Sequence, residues 1–265
     1  MQKKPSTWER LGLNDDNWKA VVIRNLISVG GLIIVWELVA RLLVHNRLIL
    51  VPFVEVMQAL YLEAHGPLWK NSAATLLEIG VSFPVAVVIG VVAGVLLASN
   101  RTLAQIAEPL LTAFYSVPMV ALAPLFVAAL GLGFASKFAI ILLVSVFPII
   151  ITTEVGLRST DKAFLDAAKS FNASALQIFA TVQFPFALPY IVSGVRVAFS
   201  RALVGAVVAE LFGSYAGYGY AILAAGQSFA TAVLLAYVVL LAVIGMLGSI
   251  ALRKLERRLA PWREE

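Results

Sequence analysis

Six long apolar runs alternate with shorter polar stretches along the chain, near residues 25–44, 73–98, 106–130, 137–157, 187–210 and 231–252. A helix needs about 20 apolar residues to cross the hydrocarbon core of a bilayer, and each run supplies roughly that many. None has the two-residue alternation of a barrel strand, and backbone groups left unpaired in lipid are costly, so each run is predicted to be a helix. The pattern predicts an all-α membrane protein with six transmembrane helices and both termini on one side. Composition agrees: 61% of residues are hydrophobic and 13% charged, against about half and about a quarter in a soluble domain. A soluble enzyme and a disordered tail are excluded on that ground. The absence of cysteine removes thiol nucleophiles, thiolate metal sites and disulfides. His45 and His65 share one polar stretch and read as loop histidines rather than a metal pair.

The 20 Lys and Arg against 15 Asp and Glu read as topology rather than nucleic-acid binding. Lys3, Lys4, Arg10, Lys19, Arg24, Arg101, Arg158, Lys162, Lys169 and the tail cations Arg253, Lys254, Arg257, Arg258 and Arg263 fall on one side of the six-span arrangement. Only Arg41, Arg47, Lys70 and Lys137 fall on the other, so both termini are expected in the cytoplasm. Residues 1–24 form a cytoplasmic N-terminal segment without the apolar core of a signal peptide; around Trp8 and Leu11 the segment reads either as a short interfacial helix or as a solvated tail. Residues 25–252 form the transmembrane domain and 253–265 a basic cytoplasmic tail.

Two of the runs carry further pattern. Ser82, Ala86, Gly90, Gly94 and Ala98 recur every four residues in the second, a small-residue stripe suited to close helix packing, either within the chain or at a subunit seam. Pro109, Pro118 and Pro124 punctuate the third; each removes a helical hydrogen bond, so this span is expected to border protein or a wet cavity.

Between the fourth and fifth runs, residues 158–184 are too polar to insert yet patterned enough to fold. Thr160 or Asp161 can cap a first short helix that presents Phe164, Ala168 and Phe171 on one face. Ser174 with Gln177 is a capping-box start for a second, running to Pro185, with Asn172 between the two. The small Ala167 and Ala168 beside the charged Asp166 and Lys169 suit docking into a partner's groove.

These residues carry a family resemblance. Asp166-Ala167-Ala168, Asn172, Val182 and Phe184-Pro185 keep the spacing of the E-A-A-x3-G-x9-I-x-L-P signature of ATP-binding-cassette (ABC) importer permeases. Asp keeps the carboxylate, Val and Phe keep apolar anchors, and Asn is the residue next most tolerant of positive φ after Gly. Ser116-Val117-Pro118, Ala121 to Phe126, Gly131-Leu132-Gly133, Phe147-Pro148-Ile149, Leu188 to Ile191, Val208-Ala209-Glu210, Gly217 to Tyr220 and Leu255 to Arg258 resemble the nitrate, sulfonate and taurine branch. Thr75 to Glu78 resembles permeases for thiamine-pyrimidine precursors and riboflavin.

The resemblance implies a type I importer permease in the bacterial inner membrane. It further implies a second copy of the chain, two cytoplasmic ATPase subunits and an extracytoplasmic solute-binding protein. Asp166, Ala167, Ala168, Lys169, Phe171, Asn172, Ser174 and Pro185 are then the ATPase-coupling residues. No G-x-x-x-x-G-K-[ST] occurs, so this chain is expected to be no enzyme and to hold no cofactor, with ATP and Mg used by the partner.

For the solute path, the expected lining residues are Ser116, Met119, Arg201, Glu210 and Glu78, with a bracing role as the alternative for the two carboxylates. Arg196, near the end of the fifth span, is expected to pair with carboxylates or carbonyls there. Gly213, Gly217, Gly219 and Gly226 with Tyr215, Tyr218 and Tyr220 read either as a loop-helix gating the outer mouth or as an interfacial tyrosine belt. The rival function is an ion-gradient-driven secondary transporter or channel; it predicts an inverted repeat and matched mid-span carboxylates, which the sequence lacks.

Overall fold

The computed structural model describes residues 18–44 and 46–259. The expected interfacial stretch around Trp8, His45 and the end of the basic tail lie outside the described residues. Among the described residues the structure is all-helical, without strands. The first run forms α1 (Trp18–Leu38), which widens into a π-turn at Val39–Leu43. Then follow α2 (Phe53–Ala64), α3 (Leu68–Ser99), α4 (Arg101–Ser116), a 3-10 turn (Met119–Leu122), α5 (Ala123–Leu130) and α6 (Phe134–Arg158). The chain continues through α7 (Lys162–Ser170), α8 (Ala175–Ile178), α9 (Phe184–Gly213), α10 (Tyr218–Gln227) and α11 (Thr231–Leu259). Four helical stretches are long and apolar enough to cross a membrane: α3, α6, Ala175–Gly213 and α11.

The core sits around α6, which packs along α3 on one side and α9 on the other. Ile141 of α6 meets Ile79 of α3 and Ala202, Leu203 and Ala206 of α9; further along, Val146 and Ile150 meet Ala86 and Leu97. The small-residue stripe decides how close α3 comes. Ser82, Ala86, Gly90 and Gly94 are all buried, and a Cβ on Gly90 would stand 2.7 Å from Ile149 Cβ, one on Gly94 2.8 Å from the Ile150 carbonyl. The stripe therefore seats α6 of the same chain. The close approach maximises dispersion contacts where apolar side chains gain little from leaving lipid.

Apart from α2, which lies between the first two runs where no helix is expected, the sequence pattern and the structure differ at two places. The third run, expected as one span, is two shorter helices. Asn100 caps α4 by accepting the Leu103 N–H at 3.1 Å, and α4 stops at Ser116 because Pro118 pushes Val117 out of the helical region, to φ −67° and ψ 128°. The second, the short helix expected to run from Ser174 to Pro185, does not end there. It passes through a π-turn at Phe179–Gln183, in which Phe184 N–H bonds to Phe179 O, and continues into α9. The widened turn lies directly before Pro185, whose ring clashes with an ordinary helical carbonyl four residues back.

Candidate functional site

The candidate chemistry lies in three separate places: the hairpin formed by α7 and α8, a buried polar network at the start of α10, and a cleft at the α4 break.

In the hairpin, Asp161 accepts the Ala163 N–H at 2.9 Å and caps α7. Thr160, the other candidate, is buried and donates to Leu157 O at 3.0 Å instead. Asn172 sits at φ 55°. Its N–H bonds to Lys169 O at 2.8 Å and the Ala173 N–H to Ala168 O at 3.2 Å, the paired bonds of a Schellman motif. Ser174 and Gln177 exchange both bonds of a capping box, at 3.3 and 2.8 Å. The turn is thus defined on both sides by local hydrogen bonds. Asp166 and Lys169 lie 3.5 Å apart on its surface, worth little energetically at such exposure. No residue of α7 or α8 is buried. Phe171 is 87% and Leu176 76% exposed, so the hairpin is a rigid projection with uncovered apolar side chains. That combination suits insertion into a groove on another protein.

At the start of α10 the first backbone N–H groups have no intrahelical acceptors. Side chains from α3 and α9 meet them. Asn71 Oδ1 accepts from Gly217 N–H at 3.1 Å, Thr75 Oγ1 from Tyr218 N–H at 2.9 Å, and Glu210 Oε2 from Gly219 N–H at 2.6 Å. Thr75 donates in turn to Glu210 Oε1 at 2.6 Å. Gly217 has φ 116°, and a Cβ there would run into the Glu210 carboxylate, so the turn needs glycine on both counts. The network extends through Asn71 Nδ2 to Tyr237 OH at 2.8 Å, which donates to Glu63 Oε2 at 2.6 Å. Beside it Lys137 of α6 pairs with Glu78 and donates to Ser214 Oγ at 3.1 Å. The glycine-tyrosine segment thus contains a helix whose first turn is held by side chains of α3 and α9.

Glu78 and Glu210, expected along a solute path, are 3% and 1% exposed. Their geometry is that of a brace tying α3, α6, α9 and α10 together. The sequence pattern counts Lys137 among the few cations on the side opposite the termini, yet its side chain is buried against Glu78. The available signal was a lysine only three residues inside α6, where an ionisable group requires a partner.

The third place is a cleft of about 220 Å³ where α4 ends. Phe114, Tyr115, Val117 and Pro118 form one wall, and α6 and α9 the others. Arg201 of α9 lies in it, its guanidinium carbon 5.5 Å from the Tyr115 ring centre and its Nη2 3.4 Å from the Tyr115 hydroxyl. Ser116 is exposed, but its hydroxyl donates back to Thr112 O of its own helix at 2.8 Å. The side chain of Met119 lies outside the described residues. Arg196 pairs with Glu256 of α11 at 3.5 Å, the carboxylate contact expected for it. The five expected lining residues are thus not one constellation: Arg201 and Ser116 lie near the break, and Glu78 and Glu210 belong to the brace.

Comparison with known proteins identifies the family. Residues 86–261 match the family described as binding-protein-dependent transport system inner membrane component. The taurine transport system permease protein TauC of Escherichia coli is 32% identical, over 97% of each chain. The formylaminopyrimidine transport permease protein ThiX of Halalkalibacterium halodurans is also 32% identical, over 88% of this chain and 93% of that one. Among solved structures, an inward-facing MetNI methionine ABC transporter shares the fold, with a TM-score of 0.64 over 72% of this chain and 95% of that one at 22% identity. None of these relatives favours the ion-gradient alternative. The chain belongs to the binding-protein-dependent transport system inner membrane components, the permease subunits of ABC importers.

Proposed function

We propose that this chain is a six-span permease subunit that works by alternating access as a homodimer, with two cytoplasmic ATPases and an extracytoplasmic binding protein. The fifth and sixth crossings are α1 and the broken α4–α5 pair, added to the four long apolar helices. Both termini and the α7–α8 hairpin then face the cytoplasm, as the distribution of Lys and Arg requires. Residues 25–252 form the transmembrane domain, residues 158–184 the coupling segment, and the basic ends flank them. The solute is a small organic or inorganic compound of the kind its relatives carry: a sulfonate, nitrate, taurine or a heterocycle. ATP and Mg act in the partner, and this chain needs no cofactor.

The observation that carries the reading is the hairpin. Asp161, Asn172 and Ser174 give it a fixed shape through local bonds alone, while Phe164, Phe171 and Leu176 stay uncovered. Because α8 runs without a stop into α9, a push on the hairpin is delivered along a single helix to the middle of the bundle. Closure of the ATPases then biases one of two packed arrangements over the other. Asp166, Ala167, Ala168 and Lys169 form the docking face, and Pro185 marks the passage into the span.

The test is Ala168→Arg in the full importer. The variant is expected to insert normally but to lose co-purification of the ATPase and ATP-driven uptake. Normal ATPase retention together with normal uptake would overturn the docking role.

A further inference from the structure

We infer that the cleft at the α4 break is an anion subsite, so that the transported solute carries an oxyanion head such as a sulfonate or carboxylate. The inference deepens the transport reading and rests on it. It is needed because equally similar relatives are named for taurine and for formylaminopyrimidine, and overall identity does not choose between an anionic solute and a heterocycle.

The charge pattern chooses. Lys137 is paired with Glu78 and Arg196 with Glu256. Among the described residues Arg201 faces no carboxylate; its neighbours are the ring and hydroxyl of Tyr115. An arginine at the centre of a membrane helix costs at least about 2.5 kcal/mol unless water or a partner meets it. At 1.5 Å per residue Arg201 lies about 25 Å along α9 from Phe184 and about 18 Å from Gly213, well inside the helix. Arg201 and Tyr115 are both exposed on this chain, so a solute passing through the protein can bring negative charge to the guanidinium.

The surroundings fit such a guest. The guanidinium offers a planar fork of donors that matches two oxygens of a sulfonate or carboxylate. The Tyr115 hydroxyl adds a donor beside it, and the ring holds the guanidinium by a cation–π contact that leaves its edge free. Phe114 and Phe147, stacked with centroids 5.9 Å apart, line the cleft with an apolar surface for the rest of the molecule. At about 220 Å³ the cleft accepts a small head group rather than a drug-sized ligand. The backbone break at Val117 and Pro118 belongs to this wall, and irregular backbone at membrane depth is tolerated where it borders protein or a wet cavity.

The experiment uses the permease–ATPase complex in nanodiscs with two fluorinated probes, 4-fluorobenzenesulfonate and the neutral 4-fluorobenzenesulfonamide, followed by fluorine NMR line broadening. The sulfonate is expected to broaden saturably and the sulfonamide not. Arg201→Gln should weaken sulfonate binding by about tenfold or more, while Arg201→Lys retains part of it. Tyr115→Phe should have a smaller effect in the same direction. Absence of sulfonate broadening in the unaltered complex, equal broadening by both probes, unchanged binding in Arg201→Gln, or loss of subunit assembly in that variant would each overturn the proposal. Because this readout is binding without turnover, it is separate from the Ala168→Arg uptake test: retained sulfonate binding together with normal ATPase retention and normal uptake in Ala168→Arg would count against the coupling reading alone.

Discussion

The α7–α8 hairpin and the Gly217 turn each reverse or redirect the chain next to a long helix, and each relies on a positive-φ residue, yet they are held in opposite ways. In the hairpin every defining bond spans five residues or fewer, and Phe164, Phe171 and Leu176 face outward. At the Gly217 turn the acceptors come from residues up to 146 positions away, and the groups that supply them are buried. The difference teaches where each region can yield. A locally bonded element keeps its shape without its neighbours, so it can be gripped and moved as a body. A buried long-range network breaks only by leaving several polar groups unsatisfied together, so the helices it joins must move as a unit.

The sharpest way to break the comparison is at the buried pair. Lys137→Met leaves Glu78 buried without its cation, and a loss of about 3–5 kcal/mol is expected from one-sided removal of a buried ion pair. Thermal unfolding of the purified chain in detergent reads this directly; Lys137→Met with Glu78→Leu should recover most of it, since an apolar pair of similar volume replaces both charges. A Lys137→Met variant that melts like the parent would show the pair to be dispensable. Next in size is Thr75→Val, which removes one acceptor of α10 and one donor to Glu210. A cost of about 1–3 kcal/mol is expected for the orphaned buried groups, with faster amide exchange at Tyr218 as the local sign.

In the hairpin the same class of change should cost less and stay local. Ser174→Ala removes an exposed helix cap worth about 1 kcal/mol; hydrogen exchange should accelerate around Gln177 without altering the melting temperature of the bundle. The smallest effect is at Asn172, where Gly should be neutral or slightly stabilising because it adopts φ 55° without strain. Val at the same position should loosen the turn by about 1–2 kcal/mol. If hairpin variants shifted global unfolding as far as Lys137→Met, the contrast between the two regions would fail.

Much of the helical plan was legible because it depends on neighbours in sequence: long apolar runs, the capping box at Ser174, the left-handed position at Asn172. Two boundaries were misjudged for local reasons as well. Pro118 stops α4 through its effect on Val117, so the third run divides, while the π-turn ahead of Pro185 lets α8 continue where a stop is expected. Of the candidate site, the pairing of Arg196 with a carboxylate was legible from its position near a helix end. The partnership of Lys137 with Glu78, and of Thr75 with Glu210, was not, because each depends on how far one helix slides and rotates against another.

By itself, then, the order of residues determined the membrane class, most of the long helices and the shape of the exposed hairpin, all set by transfer energies and by bonds between near neighbours. Only the tertiary structure decided that the small-residue stripe of α3 seats Ile149 and Thr153 of its own chain, that Glu78 and Glu210 brace the bundle, and that Arg201 is left facing a cleft. Those outcomes turn on helix register and separation at the α3–α6–α9 contact, where a shift of one residue along either helix would put different side chains face to face.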